Sequence, residues 1–269
     1  MSVKNIVLFG QSGAGKSSVV NLIAGREVAE TSLDMVPCTM HWKEHPITFD
    51  GYTYNVFDTM GLEENKLEKK QYLDAITNAY NLIAKLQDEG GIHMLLFCVR
   101  AGRFTSPIQN NYRLFYEFFC EKKVPIGLVL TGLEREPDMD NWWTKFKSSF
   151  DDHGVLVDGH ACITAVNGPD ERHQQLYEES RRLVCDLVIH HTRRCQEGNG
   201  YNGGDPWFMK LVGKLKEFLL RKHIPTKNNI VKVLTKRCNI PEQAAVDLAK
   251  QIIQDRERRN RPLTNIFVR

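Results

Sequence analysis

The sequence predicts an α/β fold, a mostly parallel sheet with helices on both faces, followed by a helical extension toward the C-terminal end. Three observations carry that expectation. Short apolar runs alternate with stretches of helical period over the first 190 of 269 residues, the pattern of parallel strands joined by crossover helices. A glycine-rich loop joins the first run to the first helical stretch. The charge is split: residues 207–269 carry 15 Lys/Arg against 5 Asp/Glu, whereas the remainder carries 21 against 28, so a mildly acidic body bears a strongly basic tail.

The elements follow in order. Lys4–Phe9 is a short apolar run and reads as a buried strand; Ser17–Ala24 after the loop reads as a helix with Val19, Val20, Leu22 and Ile23 free to face a sheet. Tyr52–Phe57 reads as a strand ending at Asp58, and Lys66–Gln87 has a helical period. Met94–Val99 is a continuous apolar run and reads as a central strand, Tyr112–Phe119 as helix, Ile126–Leu130 and Ala161–Thr164 as further strands, and Leu176–His190 as helix. Residues 196–206, with four glycines and almost nothing apolar, read as a linker. The expected division is therefore 1–195, a linker at 196–206, and a basic helical extension at 207–269. In the extension Ala244, Ala245, Leu248, Ala249 and Ile252 give one helix a core face.

Several classes are excluded at this stage. No run of about 18 apolar residues argues for a membrane span, and Ile6–Phe9 is too short for a signal peptide. Cys38, Cys98, Cys120, Cys162, Cys185, Cys195 and Cys238 are odd in number and scattered, which reads as reduced thiols in a cytoplasmic protein, not a disulfide framework or zinc site.

Gly10-Gln11-Ser12-Gly13-Ala14-Gly15-Lys16-Ser17 matches GxxxxGK[ST] between a strand and a helix, the context a phosphate-binding loop needs. Glycines let main-chain N–H groups turn inward around phosphates, and the helix N-terminus adds its dipole. Lys16 is expected to bridge the outer phosphates, Ser17 to bind Mg²⁺ through its hydroxyl, and the N–H groups through Ser18 to complete the cradle. This makes the first 195 residues a P-loop NTPase domain. Asp58-Thr59-Met60-Gly61 follows a strand about 40 residues on; Asp58 is expected to hold a water on Mg²⁺, and the Gly61 N–H to sense the γ-phosphate. Thr39 lies between these motifs and completes Mg²⁺ coordination in this reading, with Thr31 and Ser32 as competitors.

Thr131-Gly132-Leu133-Glu134 follows the strand Ile126–Leu130, where guanine-specific proteins place [NT]KxD. A carboxylate there accepts both N–H groups of a guanine edge; adenine offers one donor and an acceptor. Glu134 preserves that logic, but Gly132 lacks the aliphatic lysine stem that would cover the base. Ile163-Thr164-Ala165-Val166-Asn167 resembles the later loop whose backbone touches guanine, through Ala165 and Asn167.

The motif order is similar to that of TRAFAC-class GTPases. Gly91-Ile92-His93-Met94-Leu95-Leu96-Phe97, then Gly102-Arg103-Phe104-Thr105, resembles the AIG1 family, the immunity-associated GTPases related to septins and chloroplast-import GTPases. The Thr131/Glu134 pair matches that family's T-x-x-[DE] base motif. The resemblance covers residues 1–190 and implies a G domain with guanine nucleotide (GTP or GDP) and Mg²⁺ as ligands, slow hydrolysis, and homodimerisation through the nucleotide face. Lys16, Thr39 and Gly61 are then the hydrolytic candidates. Met60 and Gly132 depart from the family pattern, where proline and a basic residue are usual. Leu62 stands where efficient relatives orient water with glutamine. That keeps open a non-hydrolysing scaffold assembled through the nucleotide face, as the shared loop keeps open an ATPase.

The tail admits two readings. Phe208, Met209, Leu211, Val212, Leu215, Phe218 and Leu219 form an apolar stripe flanked by Lys210, Lys214, Lys216, Arg221 and Lys222. Such a helix docks on protein, its own domain or a partner, or lies on an anionic membrane. Arg256, Arg258, Arg259 and Arg261 suit phosphate groups of lipid or nucleic acid; without interleaved aromatic residues they do not indicate single-strand stacking, and nucleic acid is not the expected partner.

Overall fold

A computed structural model of the chain describes residues 3–31, 42–59, 61, 82, 83, 85, 86, 89–120, 122–168 and 173–194, and helical pieces at 231, 232, 235, 242, 243, 245–247, 249 and 250. Six strands form one sheet: β1 (Lys4–Gly10), β2 (Lys43–Phe49), β3 (Tyr52–Asp58), β4 (Met94–Arg100), β5 (Ile126–Thr131) and β6 (Gly159–Cys162). Their spatial order is β2-β3-β1-β4-β5-β6. Every pairing is parallel except β2 with β3. This is the expected mostly parallel α/β sheet, with one antiparallel edge.

β1 and β5 are buried along their whole length, as strands covered on both faces must be. Alternate residues feed two cores. Val7, Phe9, Leu95, Phe97, Leu128 and Leu130 pack on one face with Leu82, Ile83 and Leu86, with α2 (Ser106–Tyr112) and with α3 (Asp140–Asp152). Ile6, Leu8, Met94, Leu96, Cys98 and Val129 pack on the other, against α1 (Lys16–Ala24) and α4 (Gln174–Arg194). Ala245 and Ala249 are fully buried in the first core, whereas Ala244, Leu248 and Ile252 lie outside the described residues. The basic stripe of residues 208–222, the linker 196–206 and the arginine cluster lie outside the described residues.

Two elements depart from the sequence expectation by being additional to it. β2 forms a hairpin with β3 across Asp50-Gly51, both at positive φ (48° and 73°), the mirror-image turn that Asp-Gly favours. Its Pro46 is tolerated because β2 is the sheet edge. α3 buries Trp142, Trp143 and Phe150. The expected helix 112–119 begins earlier, at Ser106, and widens into a π-helical stretch over Arg113–Phe119. There Phe115 stacks on Phe9 at 4.6 Å, and Phe9 on Phe97 at 4.8 Å. Phe9 immediately precedes the glycine-rich loop, so this aromatic column backs the strand that carries it. The last expected strand ends at Cys162, two residues short of Thr164.

The opposite end of the sheet is fastened by Asn5 and the start of the Gly91–Phe97 stretch. The Asn5 amide side chain donates to the carbonyls of Glu89 and Gly91, both at 2.9 Å. The Asn5 main-chain N–H donates to His93 Nδ1 at 3.0 Å, and the His93 N–H returns to the Asn5 carbonyl at 2.9 Å.

Candidate functional site

The site lies at the carboxyl ends of β1, β3, β4 and β5. β1 stops at Gly10 (φ 147°), where a Cβ would lie 2.1 Å from the Cys98 carbonyl oxygen of β4. Only glycine lets the loop leave the sheet this close to its neighbour. The chain then turns, with the Ala14 N–H donating to the Gln11 carbonyl at 3.2 Å, and enters α1 at Lys16. Gly13 and Gly15 are both left-handed, the backbone form that builds an anion-accepting nest ahead of a helix N-terminus. Lys16 is buried, 8% exposed, with its ammonium donating to the Gln11 carbonyl at 2.9 Å and to Gly10 at 3.5 Å. Its charge is therefore held over the loop. Below it, burial pushes the Cys98 thiol up to about 12, so that thiol stays protonated and takes no part in polar chemistry.

Asp58 comes from the end of β3, set beside β1 by the Leu8↔Asp58 register. Ser17 Oγ donates to Asp58 Oδ2 at 2.5 Å, bringing together two oxygen donors 41 residues apart. Hard oxygen donors of this kind fit Mg²⁺. Thr59 pins the following turn by donating through both N–H (3.3 Å) and hydroxyl (2.7 Å) to the Leu8 carbonyl. Gly61 then meets the phosphate loop directly: a Cβ there would lie 2.2 Å from Ser12 N and 2.4 Å from Ser12 Cα. The Asp58–Gly61 segment and the loop are in backbone contact, and no side chain fits between them.

The turn after β5 is tied to the glycine-rich loop. Thr131 closes β5, and its buried hydroxyl donates to the Ala14 carbonyl at 3.0 Å. The Leu133 N–H donates to the Ile163 carbonyl at 3.4 Å, joining the Glu134 turn to the loop carrying Ala165 and Asn167. In that loop the Thr164 hydroxyl donates to the Val166 carbonyl at 3.0 Å. Asn167 Nδ2 donates to Gln174 Oε1 at 2.5 Å, leaving Asn167 Oδ1 buried without a hydrogen-bond partner. Glu134 is half-buried. The expected residues Gly10–Ser18, Asp58, Gly61 and Thr131 thus gather at one edge, with Glu134, Ala165 and Asn167 linked to it through Leu133. Thr39, Met60, Leu62 and the competitor Ser32 lie outside the described residues.

The sequence reading used Gly102–Thr105 only as a mark of resemblance; the geometry gives it a place. Gln11 Nε2 of the phosphate loop donates to Thr105 Oγ1 at 3.3 Å. The adjacent Phe104 stacks on His153 at 4.3 Å and meets Phe150 edge-on at 5.1 Å. The box therefore bridges the phosphate loop and the end of α3. Nothing in residue type alone pairs Gln11 with a threonine 94 positions away. No helix among the described residues is long and apolar enough to cross a membrane.

Comparison with known proteins agrees with this geometry. The profile of the AIG1 family matches residues 4–150. Immune-associated nucleotide-binding protein 7 of Arabidopsis thaliana is 32% identical over 132 residues, which is 48% of this chain and 41% of that protein. GTPase Der of Campylobacter fetus is 26% identical over 65% of this chain and 34% of its own length. The chain thus spans less than half the length of these two relatives. Among solved structures, Era of Aquifex aeolicus bound to GDP·AlF4⁻ superposes with a TM-score of 0.50 at 17% identity, covering 71% of this chain and 57% of that one. That likeness is one of fold.

Proposed function

We propose, since the chain belongs to the AIG1 family, that it is a guanine-nucleotide-binding switch with slow, Mg²⁺-dependent GTP hydrolysis. The observation that carries this reading is the meeting of Ser17 with Asp58 beside the Lys16 ammonium, with Gly61 packed on Ser12. Main-chain N–H groups of residues 13–18 donate to the phosphates, and Lys16 neutralises charge on the outer ones. Ser17 and Asp58 hold Mg²⁺, which when bound supplies further neutralisation of the phosphate oxygens. Gly61, in backbone contact with the loop, reports the third phosphate through its N–H. Thr39 would complete the Mg²⁺ coordination. Glu134 accepts the paired donors of guanine, and the main chain at Ala165 and Asn167 borders the base.

Leu62 carries no group that orients water, so turnover by one copy is slow. It quickens when a second copy, docked through the nucleotide face as the family resemblance implies, brings a polar group to the site. Calorimetry on ligand-stripped protein with Mg²⁺ tests the binding. GTP and GDP are expected to bind, ATP and ADP far less, and Glu134→Ala to abolish the difference. Equal purine affinities in the unmodified protein would remove the base assignment. Single-turnover phosphate release, with and without enforced dimerisation, tests the chemistry. No release in either condition leaves the scaffold reading in its place.

A further inference from the structure

We propose that Arg100 covers the purine of the bound nucleotide, supplying through space the basic arm that position 132 lacks in sequence. The proposal rests on the guanine-nucleotide reading above. Gly132 is exposed, has φ +82°, and carries no side chain. A Cβ placed on it would find Arg100 Cγ at 3.5 Å, Nε at 3.6 Å and Cζ at 3.7 Å. The arginine arm therefore lies, from mid-stem to guanidinium, within contact distance of where a side chain at 132 would begin. A Cβ at 132 would sit in ordinary contact with this arm, and the left-handed φ penalises any side chain there. The glycine and the arginine read as one device.

The placement is fixed by the sheet. Arg100 ends β4 in register with Thr131, the last residue of β5. The Ala101 N–H donates to the Thr131 carbonyl at 2.9 Å, and the Thr131 hydroxyl holds Ala14 of the phosphate loop. Arg100 thus stands between the loop that cradles phosphate and the turn that carries Glu134. It is exposed, and its side chain makes no hydrogen bond or ion pair among the described residues. An arginine held along its stem with its head uncommitted suits stacking. The guanidinium is planar, weakly hydrated, and favours the face of an aromatic ring. Specificity for guanine stays with Glu134, because a stacked cation grips every purine.

The test titrates the full chain with GDP, ADP and tripolyphosphate in Mg²⁺, comparing the unmodified protein with Arg100→Ala, Arg100→Lys and Arg100→Met. Arg100→Ala is expected to weaken GDP about tenfold, to leave tripolyphosphate within about twofold, and to keep the GDP-over-ADP preference. Arg100→Lys should recover part of the loss. A GDP affinity unchanged by Arg100→Ala overturns the proposal. An equal fall for tripolyphosphate also overturns it, because the arm would then act on phosphate. If the alanine variant melts early, Arg100→Met decides: it keeps the stem, and an unchanged GDP affinity overturns the proposal. Unmodified protein that binds tripolyphosphate but no guanine nucleotide overturns the parent reading as well, a result distinct from an indifferent Arg100.

Discussion

Acidification should loosen this fold through His93, and the size of the effect can be worked out. His93 Nδ1 accepts the Asn5 N–H at 3.0 Å, so that nitrogen must be unprotonated in the native state. Burial first, and the Lys4 charge second, lower its pKa from 6.5 to about 4. A histidine depressed on folding stabilises the native state fully above its unfolded pKa, and the contribution is lost as pH falls toward the folded value. Between pH 7.5 and pH 5.0 the loss is about 2 kcal/mol, approaching about 3 kcal/mol below pH 4. The assay is urea unfolding at both pH values for the unmodified protein and for His93→Gln, which offers an acceptor that does not titrate. The unmodified protein should lose about 2 kcal/mol more than the variant over that interval. Equal losses in the two proteins would refute the argument, because other titrating groups contribute to both.

Further perturbations address the site itself. Ser17→Ala should weaken GDP at least about tenfold with Mg²⁺ and little in EDTA, read by calorimetry in the two buffers; equal weakening in both would detach Ser17 from the metal. Thr131→Val removes the buried bond to the Ala14 carbonyl and should cost about 1–2 kcal/mol in urea unfolding. Gly61→Ala brings a methyl against the Ser12 backbone, which cannot yield as a side chain would. It should abolish the preference for a non-hydrolysable GTP analogue over GDP while GDP binding survives, checked by competition. Gly10→Ala meets the Cys98 carbonyl between two buried strands, and the expected result is loss of soluble folded protein on expression.

β1, β4 and β5 were legible because each is a nearly unbroken apolar run, and a strand buried on both faces needs little else. β2 was hidden because Lys43–Phe49 is an edge strand with exposed Lys43, Glu44 and Pro46; its cue was the Asp50-Gly51 turn, not its hydrophobicity. α3 was hidden because it exposes most of its residues and binds the core through Trp142, Trp143 and Phe150. The meeting of the glycine-rich loop with Asp58 and Gly61 was legible because each follows the end of one of two strands that the sheet sets side by side. Thr131 was expected beside the base; its hydroxyl is seen to brace the phosphate loop. Arg100 and Thr105 could not be read at all, since what gives them meaning is the β4–β5 register and a loop folded over from β1.

The family's recognition box spans β4 and reaches both of its ends, with His93 stitched to Asn5 at one and Thr105 touching Gln11 at the other. Substitutions within one short motif therefore fall into two kinds that a sequence score would merge. Damage near His93 will show as diminished cellular abundance, with the surviving molecules behaving normally. Damage near Thr105 loosens the contact with Gln11 of the glycine-rich loop and is expected to leave abundance intact while altering nucleotide binding. When such variants are catalogued, protein level and nucleotide binding should be scored separately.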